Sequence, residues 1–221
     1  MLHRITLVAL LLLLTCSTGC RRDGTSGFGR NLANVFTGRT ALDAVQKMEN
    51  EYFPDQRREG INRLVQHNFG RREPYTTRYQ QIAQLDSDFL VRATAVRALN
   101  RARDDQSTHI FIAALKDEHP IVRLEGAKAL NNVPDPVAIP VLLQIVGDST
   151  QGRDLRIAAA EALRHYRSLD VARSLINVLG ERDFSVAWQA RRSLVAMTGT
   201  DHRYDPAAWL NYLATSPAPL G

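Results

Sequence analysis

The residues that could do chemistry in this chain are few and scattered. Its six histidines are His3, His67, His109, His119, His165 and His202. None has a neighbour at metal-ligand spacing, such as two histidines one helical turn apart. The two cysteines, Cys16 and Cys20, both lie near the start, so the body of the chain has neither a thiolate ligand nor a disulfide. A serine nucleophile in a G-x-S-x-G turn and a phosphate-binding glycine loop are both missing. No catalytic residue, metal or cofactor is therefore assigned. What does recur is a pairing of charge. Asp86 precedes Arg92, Asp117 precedes Arg123 and Asp148 precedes Arg156, while Glu181 holds the same place before Ala187. A guanidinium forks well onto a carboxylate. Such a row either ties the chain to itself or offers arginines to an anionic ligand. An acid five to eight residues upstream of each arginine favours the structural role.

These arginines sit in a repeated element. Val91-Arg92-Ala93-Thr94-Ala95-Val96-Arg97-Ala98-Leu99 returns as Val122 to Leu130, Leu155 to Leu163 and Val186 to Leu194, at steps of 31, 33 and 31 residues. A worn copy starts at Gln56-Arg57 and continues through Gly60, Ile61 and Leu64. Between copies lie second helical segments: Tyr75 to Leu85, Ser107 to Leu115, Val137 to Val146 and Val171 to Leu179. Turn chemistry precedes each, as in Asp135-Pro136, where Asp caps the first amides and Pro has no amide to satisfy. Pro140 falls within the first turns of its helix, where it costs a slight bend. Small residues at fixed places (Ala95, Ala98, Gly126, Ala129, Ala159, Ala162, Ala190) let neighbouring helices approach closely. The unit reads helix, short turn, helix. One such pair cannot bury its apolar face alone, whereas about five stacked pairs share a continuous core. The fold class predicted is all-α, an α-solenoid with capping helices at both ends.

An Asp, a short gap, Val-Arg and Ala-x-x-Ala-Leu together resemble the HEAT-like repeats of the type named after phycobilin lyases. The resemblance covers residues 55–197. It implies a fold used chiefly for contact between proteins, with some enzymes and enzyme subunits among its members. It also implies that each arginine bonds a carboxylate near the inter-repeat turn, giving a ladder of Asp86, Arg92, Asp117, Arg123, Asp148 and Arg156 that ends at Ala187. HEAT-like metalloenzymes that hydroxylate proteins carry His-Glu pairs, and this chain has no His-Glu dipeptide. No residue supports a bilin site either, and His165-Tyr166 reads as a turn. Solenoids of this kind line their concave side with second helices, which makes the outward positions His109, Lys116, Gln144, Arg173 and Asn177 candidates for partner binding. Trp209 and Leu213, one turn apart, are expected to close the far end of the stack.

The first residues are of another kind. Arg4 precedes an apolar run, Ile5 to Leu14, and a small, polar segment follows up to Cys20. That is the layout of a secretory signal peptide. The run is far shorter than the ~20 residues of a membrane-spanning helix. Gly19-Cys20 resembles the lipobox of bacterial lipoproteins, with Ser17 departing from the aliphatic residue usual there; Cys16 is the second choice. The resemblance implies lipidation of Cys20 and residence in the cell envelope, on the extracytoplasmic side of a membrane. The domain reading is then a signal peptide over 1–19, an anchored linker over 20–40 and an N-terminal capping helix over 41–54, ended by Pro54. HEAT-like repeats follow over 55–197, a C-terminal cap over 198–214 and a disordered tail over 215–221. The net charge of +5 comes from dispersed arginines, without stacking aromatics beside them, so no nucleic acid is expected as a partner. The function expected is a membrane-tethered protein-interaction scaffold or adaptor without catalytic activity. The alternative is an enzyme or regulatory subunit acting on an exported substrate through the concave groove.

Overall fold

Apolar residues at three- and four-residue steps, punctuated by Asp, Pro and Gly, dictate helices throughout. A computed structural model describes residues 40–220, and the described elements are eleven α-helices and three short 3-10 turns, with no strand. The helices are α1 (Ala41–Met48), α2 (Pro54–Leu64), α3 (Tyr75–Leu85), α4 (Phe89–Ala102), α5 (Thr108–Ala114) and α6 (Pro120–Asn132). They continue as α7 (Ile139–Gly147), α8 (Arg153–Leu163), α9 (Leu169–Asn177), α10 (Phe184–Thr198) and α11 (Pro206–Thr215). The putting-together follows local capping. Asp88 accepts from the amides of Leu90 and Val91 at the start of α4, and Asp183 accepts from Ser185 at the start of α10. Asp205 accepts from Ala207 and Ala208 ahead of α11. Each carboxylate satisfies amides that a helix leaves unpaired. Gly199 ends α10 at φ +74°, in the left-handed region that glycine enters without penalty.

The repeat is phased differently from the sequence reading. The closely packed pairs are α1 with α2, α3 with α4, α5 with α6, α7 with α8 and α9 with α10. Each pair therefore closes through the turn that carries the acid, and the first helix of a copy packs on the helix before it rather than the one after. The acid turns are short, and a short turn forces antiparallel neighbours together. This also corrects the N-terminal boundary. α1 is the first member of the first hairpin, not a separate cap, and it stops at Met48. Pro54 begins α2, at a position where a missing N–H is harmless. Gly60 fits this pairing: a Cβ there would stand 2.5 Å from the Ala44 carbonyl oxygen, so α1 and α2 meet backbone to backbone.

Five hairpins then stack through two layers. In one layer α2, α4, α6, α8 and α10 pack each on the next. Val91, Leu99, Val122, Leu130, Leu155, Leu163, Val186 and Leu194, the heads and tails of the four sequence copies, are all buried, none exposed beyond 3%. Ala95, Ala98, Ala129, Ala159, Ala162 and Ala190 are buried between them. Gly126 lies where a Cβ would come 2.9 Å from the Phe111 carbonyl oxygen, which fixes the approach of α6 to α5. At the far end Trp209 is fully buried, donates from Nε1 to the Arg203 carbonyl at 2.9 Å and meets the edge of His202. Leu213 packs partly buried against the same core. The residues expected to form a disordered tail are placed through Leu220, whose carbonyl accepts from Arg167 Nη1 and whose side chain reaches the core.

Candidate functional site

The hairpin turns line up, and so do the charges they carry. Four residues occupy equivalent places at the head of the helices of that layer: Arg57 on α2, Arg92 on α4, Arg123 on α6 and Arg156 on α8. Three of these arginines reach in two directions. Backward, Arg92 Nη1 donates to the carbonyls of Asp86 and Ser87 at 3.0 and 3.3 Å, holding its own hairpin turn. Arg57 does the same to Asn50 and Glu51, and Arg123 to Asp117 and Glu118. Forward, the other edge of the guanidinium forks onto the acid of the next hairpin. Arg57 Nε and Nη2 bond Asp86 at 2.7 and 2.9 Å, and Arg92 Nε and Nη2 bond Asp117 at 2.9 Å each. Arg156 bonds Glu181 at 2.7 and 2.6 Å, while its Nε and Nη2 take the Val146 carbonyl. Of the six residues expected in the ladder, Asp86, Arg92, Asp117 and Arg156 stand in rungs, and these run between hairpins rather than within them. Arg92 uses the backbone of Asp86, not its carboxylate. Burial alone would raise the Asp117 carboxyl, but the Arg92 fork and the His119 amide outweigh it and hold it below the usual range.

The rung between the third and fourth hairpins is open. Arg123 makes its backward bonds, yet its Nε is buried without a partner, and no carboxylate lies in ion-pair contact with it among the described residues. The acid in line is Asp148, and it is already occupied. Its oxygens accept from the Thr150 amide at 2.9 Å, the Thr150 hydroxyl at 2.6 Å and Gln151 Nε2 at 3.0 Å. In the two closed rungs built on aspartate the acid accepts only one amide from its own turn, as Asp86 does from Asp88 and Asp117 from His119. The turn after Asp148 is two residues longer, since Arg156 follows it by eight positions and Arg123 follows Asp117 by six. Those extra residues supply the intercepting donors. The Thr150 hydroxyl, the Gln151 amide and the Thr150 N–H together lower the Asp148 carboxyl to about 2. A recess of about 240 Å³ is left, lined by Leu115, Lys116, Arg123, Gln144, Asp148 and Gln151 among others. Gln151 Oε1 is buried there with no donor.

Against known proteins, residues 77–164 match the sequence profile described as HEAT repeats. The crystal structure of an engineered protein is similar at a TM-score of 0.55 and 18% identity, over 80% of this chain and 90% of that one. No curated protein matches the chain. The fold is an α-solenoid, HEAT-like over the matched span. Repeats of that family commonly mediate contact between proteins, and the likeness to the engineered protein speaks for the fold alone.

In the solenoid the five positions singled out, His109, Gln144, Arg173 and Asn177 on α5, α7 and α9 and Lys116 in the turn just after α5, are all exposed. The structure brings two of them together: Lys116 and Gln144 flank the recess at Arg123. His109, Arg173 and Asn177 do not line it, and Arg173 lies 3.9 Å from Asp170 on its own helix. His165 and Tyr166 are structural, as the sequence suggests. The Tyr166 hydroxyl donates to the Asp135 carbonyl and accepts from its amide, and His165 meets Asn131. No group of metal-ligating side chains forms among the described residues, and no described helix is long and apolar enough to cross a membrane. Cys20 lies outside the described residues. The sequence reading missed Arg57 as a rung, although Arg57, Gly60 and Leu64 keep the spacing of Arg123, Gly126 and Leu130. It also missed Thr150 and Gln151, whose signal was the one step of 33 residues.

Proposed function

We propose that this chain is a membrane-tethered, extracytoplasmic protein-interaction scaffold without catalytic activity. The observation that carries the reading is the division of labour within the solenoid. The arginines at the heads of α2, α4 and α8 are spent on forks between hairpins, whereas His109, Lys116, Gln144, Arg173 and Asn177 stand exposed on or just after α5, α7 and α9. Stacked repeats present such a face as one extended surface suited to a protein partner. The concave placement of that face rests on the family resemblance. Tethering rests on the apolar run before Gly19-Cys20 and on the two-signal logic of stable anchoring, which a thioether-linked diacylglyceryl and an amide-linked chain together meet.

The test is cross-linking and affinity capture from membranes with three forms: wild type, Cys20→Ala, and the triple variant His109→Ala, Gln144→Ala, Arg173→Ala. Wild type is expected in the membrane fraction with one envelope protein enriched. Cys20→Ala should release the chain from that fraction, and the triple variant should stay anchored and lose the enriched protein. Membrane residence unchanged in Cys20→Ala would overturn the anchor. Capture unchanged in the triple variant would overturn the binding face.

A further inference from the structure

Three closed rungs in this molecule show what the forward edge of the ladder arginine is shaped for. The Nε edge receives a carboxylate at Asp86 and Asp117, while Arg156 turns that edge to the Val146 carbonyl and holds Glu181 with Nη1 and Nη2. At Arg123 the same edge opens into a recess, with Nε buried and unpaired. An unpaired buried donor on a charged group costs free energy until a partner reaches it. We propose that the open rung is a binding site for an acidic side chain of a protein partner, whose carboxylate completes the Arg123 fork. The proposal deepens the scaffold reading by naming the chemistry that its surface recognises.

Size, charge and hydrogen bonding all point to this ligand. The recess of about 240 Å³ equals about eight water volumes at ~30 Å³ each, enough for a carboxylate-bearing side chain. Arg123 and Lys116 outnumber Asp148, whose oxygens are turned to Thr150 and Gln151. That balance admits a monoanion and works against a phosphate dianion, which Asp148 would repel more strongly. The second unpaired group is an acceptor, Gln151 Oε1. A free small acid in its ionised form has no donor for it, whereas a peptide supplies a backbone N–H beside its carboxylate. Lys116 and Gln144 are exposed at the same recess, so the site is reached from the face on which the scaffold reading places a partner. The rung is open because the turn after Asp148 is longer, and that turn sits in one hairpin only.

The experiment follows the arginine Nε–H resonances of the isotope-labelled chain at constant ionic strength, with Arg123→Lys used for assignment. Three probes are titrated: acetate, the capped peptide Gly-Glu-Gly, and its Gly-Gln-Gly control. The Arg123 resonance is expected to shift to saturation with acetate and with the Glu peptide, the latter half-saturating at about tenfold lower concentration. Arg92 and the Gln-peptide titration should show no saturable change. Equal potency of acetate and the Glu peptide would leave a small-carboxylate site and overturn the protein-partner chemistry. Asp148→Asn separates the remaining case. If wild type shows no saturation and Asp148→Asn does, Arg123 and Asp148 pair in solution and the open rung is overturned. None of these outcomes depends on Cys20, so failure here and failure of tethering are told apart.

Discussion

The second and third hairpins are joined by a closed rung, the third and fourth by an open one, and the residue types are the same in both. Arg92 and Asp117 form a half-buried fork; Arg123 and Asp148, also an arginine and an aspartate in register, do not. The arginines occupy equivalent places on their helices and make the same backward bonds to their own turns. The difference lies in what competes for the acid. His119 offers Asp117 one amide, whereas Thr150 and Gln151 offer Asp148 three donors from a turn two residues longer. An ion pair between repeats is thus decided by the length of the turn that holds the acid as much as by the acid itself. The two ends of the ladder agree. The first turn has no ladder arginine before it among the described residues and carries neutral Asn50, whose side chain caps its own turn. The last hairpin carries Ala187 at the ladder position, and Asp201 in the turn after it pairs with Arg191 instead.

The largest expected effect breaks the comparison on stability. Arg92→Met leaves the half-buried Asp117 without its fork and should cost about 2–3 kcal/mol. Arg123→Met removes only hydrogen bonds to turn carbonyls and should cost about 1 kcal/mol. Urea unfolding of both variants measures the difference; equal losses would mean that the third rung is closed in solution.

A smaller effect appears in acid. The Asp117 carboxyl is held down in the folded state and that of Asp148 is lowered to about 2, against about 3.9 in an unfolded chain. A group depressed on folding contributes stability above its unfolded value and loses it as the pH falls through the folded one. Acid destabilisation is therefore expected below about pH 4, continuing toward pH 2 for Asp148. The causes differ between the rungs. Carboxyl titration by NMR should show the Asp117 value rising in Arg92→Met and the Asp148 value unmoved in Arg123→Met, since Thr150 and Gln151 hold it. A rise at Asp148 in Arg123→Met would reveal a pair that the fold does not show.

Much of this was legible in the sequence. Helix periodicity and the spacing of Val-Arg and Ala-Leu located α4, α6, α8 and α10, because the core must contact every turn of them: Val122, Leu130, Leu155 and Leu163 are where the repeat puts them. Tyr75–Leu85 was read to the residue, since Pro74 and Asp86 bound it on both sides. The hairpin phase was not legible. A repeating string of two helices has no marked beginning, and only packing shows that α4 belongs with α3. The rungs were half visible. Sequence supplied the acids and arginines, but distance along the chain favoured partners six residues apart, while the forks join residues 25 to 29 apart. Asp148 read like Asp117 because nothing local states which donors a longer turn will aim at it.

The most direct test of the staggered, interrupted ladder is a pair of double-mutant cycles on the folded chain, Arg92→Met with Asp117→Asn and Arg123→Met with Asp148→Asn, measured by urea unfolding. A coupling of about 1–3 kcal/mol is expected for the first pair. For the second pair the coupling should be indistinguishable from zero. Equal coupling in both cycles would contradict the open rung, and zero coupling in the first would contradict the ladder itself.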